Sequence, residues 1–91
     1  MAEKKLELNI ISPDMNLENA LPKYADMVIL FCTTGELGIL PGRAPCNMLL
    51  GTGNLRIFEN EVETRFKIDG GVASVKDNLV TVITNSIVVN E

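Results

Sequence analysis

The stretch Gly35-Glu36-Leu37-Gly38-Ile39-Leu40-Pro41-Gly42-Arg43-Ala44-Pro45 decides how the rest of the chain is read. Leu40-Pro41-Gly42-Arg43 is a type II turn signal, because proline presets φ at the second position and glycine accepts positive φ at the third. Gly35 and Gly38 mark backbone that turns sharply or that another segment approaches closely. Pro45 biases Ala44 toward extended geometry and so opens another strand. The stretch therefore reads as a loop between two short strands, with Glu36–Leu40 a very short strand inside it.

Outward from this loop the chain alternates. On the amino-terminal side, Asp26–Cys32 is apolar on both faces: Val28, Leu30 and Cys32 on one, Met27, Ile29 and Phe31 on the other. One face is expected in the core; the other is covered by part of the same domain or is a partner surface. Lys5–Ile11 has the period of a half-buried strand, with Leu6, Leu8 and Ile10 inward, and Ser12-Pro13-Asp14 turns it. Residues 15–24 are the least legible: Leu17 and Leu21 suit a helical turn that Pro22 would stop, and a bulge or longer connection is expected there. On the carboxy-terminal side, Cys46, Met48 and Leu50 share a face until Gly51-Thr52-Gly53 breaks the run. Strands are expected at Asn54–Phe58 and Val62–Ile68, with a turn at Glu59-Asn60-Glu61. Asp69-Gly70-Gly71 and Lys76-Asp77-Asn78 are hairpin signals around Val72–Val75 and Leu79–Thr84, and Ile87-Val88-Val89 adds an edge strand. Nine or ten short, mainly antiparallel strands without a convincing helix indicate an all-β sandwich or barrel in one domain, residues 1–91.

The totals narrow the function. Ninety-one residues with 46% hydrophobic and 4% aromatic content make one core of Leu, Ile, Val and Met. The longest apolar run, Met27–Cys32, is far short of the roughly 20 residues of a membrane helix, so no direct membrane insertion is expected. Net charge is −4, with only eight Lys and Arg, which argues against nucleic acid as a partner. With no histidine in the chain, His-based acid–base catalysis, Ser-His or Cys-His nucleophiles and His-ligated metals are excluded. Cys32 and Cys46 lack metal-ligand spacing and read as buried thiols, with no base such as histidine to activate them. Glu63, Arg65 and Lys67 read as a solvated strand face. No catalytic residue, metal site or cofactor is expected.

The order of the opening residues resembles the epsilon subunit of F-type ATP synthases (delta in mitochondria), whose β-sandwich carries Gly-Glu-(Leu/Ile)-Gly-(Ile/Val)-x-Pro-Gly-His-x-Pro. Gly35, Glu36, Leu37, Gly38, Ile39, Pro41, Gly42, Ala44 and Pro45 match; Arg43 stands where the family usually has histidine. Gly53-Asn54-Leu55-Arg56-Ile57 is similar to the family's Gly-x-(Leu/Ile)-Arg-Ile strand start. Asp69-Gly70-Gly71-Val72-Ala73-Ser74-Val75, followed by Val80-Thr81-Val82, is similar to its Ser-Gly-Gly-x-x-x-Val hairpin. The resemblance runs from about Leu6 to Ile87.

That resemblance implies a flattened ten-stranded β-sandwich and a non-catalytic rotor subunit that couples c-ring rotation through gamma to ATP synthesis. It implies the gamma subunit and the c-ring as partners, on the cytoplasmic face of a bacterial inner membrane, and no cofactor. The family's carboxy-terminal helical hairpin, with its inhibitory and ATP-binding roles, is expected to be missing after Glu91. Glu36, Gly38, Pro41, Gly42 and Arg43 become candidates for the c-ring contact, with Glu36 and Arg43 placed together at one end of the sandwich. Met27, Ile29 and Phe31 become candidates for the gamma contact. Arginine in place of histidine would keep a donor but fix its charge across physiological pH. The rival expectation is a free-standing β-sandwich adaptor or ligand-binding module that keeps the motif for folding alone.

Overall fold

The computed structural model describes residues 5–13 and 22–89. The expectation for 15–24 falls outside them, apart from the segment from Pro22 onward. Eight strands follow in order: β1 Leu6–Ile11, β2 Tyr24–Ala25, β3 Met27–Cys32, β4 Gly35–Ile39, β5 Cys46–Glu59, β6 Val62–Lys76, β7 Leu79–Ile83 and β8 Ile87–Val89. They form one hydrogen-bonded sheet in the order β2-β1-β7-β6-β5-β3-β4, with β8 also on β6. The β1–β7 pair is parallel, from Glu7 opposite Leu79 to Ile11 opposite Ile83; the other pairs are antiparallel.

The sheet becomes a sandwich because β5 and β6 fold over together. Leu50 opposes Gly71 and Thr52 opposes Asp69, so Gly51 and Gly70 fall between paired positions where both strands change layer. The first half of β5 and the second half of β6 join β7, β1 and β2 in one layer. The remaining halves join β3, β4 and β8 in the other. Gly71, at φ +117°, could not carry a side chain, since a Cβ there would overlap the Ile83 carbonyl oxygen.

This corrects two expectations. Gly51-Thr52-Gly53 does not end a strand, and Asp69-Gly70-Gly71 is not a hairpin turn; both are bends within 14- and 15-residue strands. Glycine weakens a strand and frees its backbone, and the sequence alone does not distinguish a bend from a stop. Counting each half of β5 and β6 separately gives the ten segments expected. The β5–β6 and β6–β7 hairpins turn instead at Asn60-Glu61 and Asp77-Asn78, whose residues all take positive φ (51–68°), as a type I′ loop requires.

Alternation holds in every long strand. Leu6 and Ile10, Val28, Leu30 and Cys32, Leu55 and Ile57, Phe66 and Ile68, and Val80 and Val82 converge between the layers and are buried. Burying a branched aliphatic side chain contributes about 1.5–3 kcal/mol. The amino-terminal strand is also tied down by charge: Lys5 Nζ lies 3.5 Å from Asp26 and 3.3 Å from Glu59. Asp26 also accepts the Asn60 N–H at 2.9 Å, which joins the β2–β3 junction to the β5–β6 turn.

Candidate functional site

The fold has two ends. At one, the glycine bends of β5 and β6 gather with the Thr33-Thr34 turn. At the other lie the Leu40–Arg43, Asn60-Glu61 and Asp77-Asn78 turns. Each layer also turns one face outward. The functional candidates distribute over these four surfaces.

The Leu40–Arg43 turn forms as its sequence dictates. Gly42 takes φ +88°, and the Arg43 N–H donates to the Leu40 carbonyl at 3.3 Å. The Gly42 N–H donates to Asn78 Oδ1 at 2.7 Å, pinning the turn to the β6–β7 hairpin. Arg43 stands exposed beside Pro41 and Gly42, and a shallow groove there is lined by Gly38, Leu40, Pro41, Gly42 and Arg43.

Glu36 is elsewhere. It opposes Phe31 next to the Thr33-Thr34 turn, while Ile39, at the far end of β4, opposes Val28. Four residues of strand, about 13 Å, separate Glu36 from the start of the Arg43 turn. Glu36 and Arg43 therefore belong to opposite ends of the sandwich, against the expectation that they share one. The reason is that the short strand expected at Glu36–Leu40, found as Gly35–Ile39, runs extended along β3 and carries the two residues apart. Asp69 shares the Glu36 end, its carboxylate accepting from Thr52 Oγ1 at 2.7 Å.

Met27, Ile29 and Phe31 share the outer face of β3 and are half-buried. Met27 opposes Phe58, Ile29 lies between Gly38 and Arg56, and Phe31 lies beside Glu36. The Phe31 ring covers Gly53, where a Cβ would come 2.5 Å from its Cδ2. Arg56 spans Phe58 at 5.2 Å from the ring centroid and donates to Glu63 Oε2 at 2.8 Å. Arg65 donates to the same oxygen at 2.6 Å. These two bonds, that from Arg56 first, pull the Glu63 carboxyl down to about 2. The β3 stripe is thus partly covered by its own sheet neighbours.

The outer face of the other layer carries what the sequence did not disclose. Register aligns Leu49, Val72, Ile83 and Ile11 in one row across β5, β6, β7 and β1. All four are exposed, at 62%, 45%, 46% and 46%. The next row is Asn47, Ser74, Thr81 and Asn9, polar without charge. A shallow groove of about 390 Å³ runs between these rows. The sequence signal was present only as alternate, outward positions of four strands; register alone turns them into a row.

Cys32 is buried, and burial pushes its thiol up; Cys46 is half-buried, less enclosed than expected. No helix among the described residues is long and apolar enough to cross a membrane.

Comparison with known proteins bears on this arrangement. The family described as "ATP synthase, Delta/Epsilon chain, beta-sandwich domain" matches residues 5–90. The ATP synthase epsilon chain of Granulibacter bethesdensis is 38% identical over 86 residues, spanning 93% of this chain and 60% of the relative. That of Synechococcus elongatus is 42% identical over 81 residues, 89% of this chain and 57% of the relative. The chain thus spans about 60% of the length of the curated relatives it matches. Among solved structures, a chain of the Euglena gracilis mitochondrial ATP synthase superposes with a TM-score of 0.82 at 23% identity, covering 93% of this chain and 53% of that one. A chain of the Tetrahymena thermophila mitochondrial ATP synthase central stalk and c-ring gives 0.69 at 17% identity, covering 97% of this chain and 69% of that one. At these identities the structural likeness speaks for the fold.

Proposed function

We propose, from the premise that this chain belongs to the ATP synthase delta/epsilon β-sandwich family, that it works as a non-catalytic central-stalk subunit of an F-type ATP synthase. In this role it couples ion-driven c-ring rotation, through gamma, to ATP synthesis. It sits peripherally, at the cytoplasmic face of a bacterial inner membrane, held there by its partners.

The observation that carries this reading, beside the family match, is the shared β5–β6 ribbon. Both layers are built from the same two strands, so neither can swing without breaking a 13-pair ladder. Close-packed sheets transmit strain, and a coupling element must do so without bending. The relatives' common name weighs against a free-standing adaptor.

Glu36 is the candidate for the c-ring contact at the bend end. Gly38 lies beside it on β4, while Pro41, Gly42 and Arg43 make a separate stalk contact at the opposite end. Charges at such contacts fix register more than they add affinity. For gamma, the Met27–Ile29–Phe31 stripe has a competitor in the Leu49–Val72–Ile83–Ile11 row. Exposure favours the row, because the stripe is already half-covered. Reconstitution with a gamma-containing catalytic head tests the reading: a stoichiometric complex is expected, and its absence overturns the assignment.

A further inference from the structure

We infer that Asn78 is a positioning residue for Arg43, so that the contact made by the Pro41-Gly42-Arg43 turn depends on a residue that never touches the partner. The inference rests on the reading of that turn as a stalk contact. Asn78 does three things at once. It occupies the second position of the β6–β7 hairpin loop at φ +65°, a conformation in which only Gly, Asn and Asp are comfortable. Its carbonyl accepts the Glu7 N–H at 2.7 Å, which ties the start of β1 to the hairpin. Its side-chain oxygen accepts the Gly42 N–H at 2.7 Å, across 36 residues of sequence.

Glycine would serve the backbone at position 78 equally well, so it is the third task that needs an amide side chain. Without it, the exposed Leu40–Arg43 turn is held by the 3.3 Å Arg43–Leu40 bond within the turn and by its flanking backbone. Arginine recognises a carboxylate through a planar fork whose orientation decides whether two bonds or one form. A fixed turn presents that fork with its ordering cost already met in the free protein. Arg43 and Asn78 are thereby coupled: the second matters to binding only through the first.

The test combines Asn78→Gly, which keeps the positive-φ loop and deletes the acceptor, with Asn78→Asp, which keeps an oxygen acceptor. Gly42 amide hydrogen exchange is read by NMR, and affinity for an ATP synthase stripped of this subunit but retaining gamma and the c-ring is read in parallel. Asn78→Gly is expected to speed Gly42 exchange and to weaken binding by about three- to tenfold, the range of one net hydrogen bond. Asn78→Asp is expected to stay close to the parent in both. In an Arg43→Ala background, Asn78→Gly should cost no further affinity. Unchanged Gly42 exchange, or an equal loss in the Arg43→Ala background, would overturn the positioning role. Parent-like binding by Arg43→Ala alone would overturn the contact reading beneath it, and the inference with it.

Discussion

The Phe31 ring packs on the bare backbone of Gly53, closely enough that a single added carbon would lie 2.5 Å from Cδ2 and 2.8 Å from Cγ. The contact joins the outer stripe of β3 to the point where β5 leaves its bend. Gly53→Ala should therefore destabilise the domain by about 1–3 kcal/mol through overpacking. Thermal unfolding should show a fall of about 4–8 °C per kcal/mol for a domain of this size. Phe31→Ala combined with Gly53→Ala should cost less than the two changes summed, since the smaller side chain removes the overlap. Strict additivity would mean that Gly53 answers to some other constraint.

The Arg56–Glu63–Arg65 ladder gives a pH signature. The folded-state pKa of Glu63 is about 2, depressed from the ordinary 4.5 by its bonds to Arg56 and Arg65. A depressed carboxylate stabilises the fold above its unfolded pKa and loses that contribution as pH falls through the folded value. Glu63→Gln should then melt below the parent from pH 5 upward, and the two curves should converge as pH drops toward 2. Added salt should shrink the gap, because the ladder is exposed. Equal melting temperatures at pH 6 and low salt would remove the ladder from the stability of this face.

Much of this was legible in the sequence, for identifiable reasons. Alternation in Lys5–Ile11 and Val62–Ile68 pointed to Leu6, Ile10, Phe66 and Ile68 in the core, because a one-residue slip would expose them all, although Val62 on the same face is exposed. Pro41-Gly42 named its turn, because proline and glycine fix φ directly. Gly51-Thr52-Gly53 reads as a strand end and Asp69-Gly70-Gly71 as a hairpin turn, because a glycine bend looks like either until the cross-strand register is known. The family resemblance puts Glu36 and Arg43 together at one end, yet Gly35–Ile39 pair with β3 and extend between them. The exposed row was invisible for a related reason: Ile11, Leu49, Val72 and Ile83 come from four strands whose order is not sequential.

Glu36 is predicted to act in docking and not in folding. It is exposed, and surface substitutions usually shift stability by only about 0.5 kcal/mol. Glu36→Lys should lower ATP-driven ion pumping while ATP hydrolysis persists, and raising ionic strength should narrow the difference, as screening acts over about 8–10 Å. Parent-like pumping by Glu36→Lys at low salt would remove this residue from the c-ring contact.

The two candidate gamma surfaces separate by mutation. Leu49→Ser and Ile83→Ser, on the exposed row, should weaken binding to a gamma-containing head with little change in melting temperature. Phe31→Ser should lower the melting temperature, because its ring is part of the packing over Gly53. The opposite pattern, binding lost only with Phe31 and stability lost only with Leu49 or Ile83, would return the contact to the β3 stripe.

The central claim is that this chain couples rotation to catalysis without taking part in the chemistry. ATP-driven ion pumping in vesicles tests it most directly, using an ATP synthase first depleted of this subunit and then resupplied with it. The account predicts that the depleted complex still hydrolyses ATP but pumps poorly, and that stoichiometric addition of the chain restores pumping. Full pumping by the depleted complex, or no recovery when the bound chain is confirmed at one copy per complex, would contradict it.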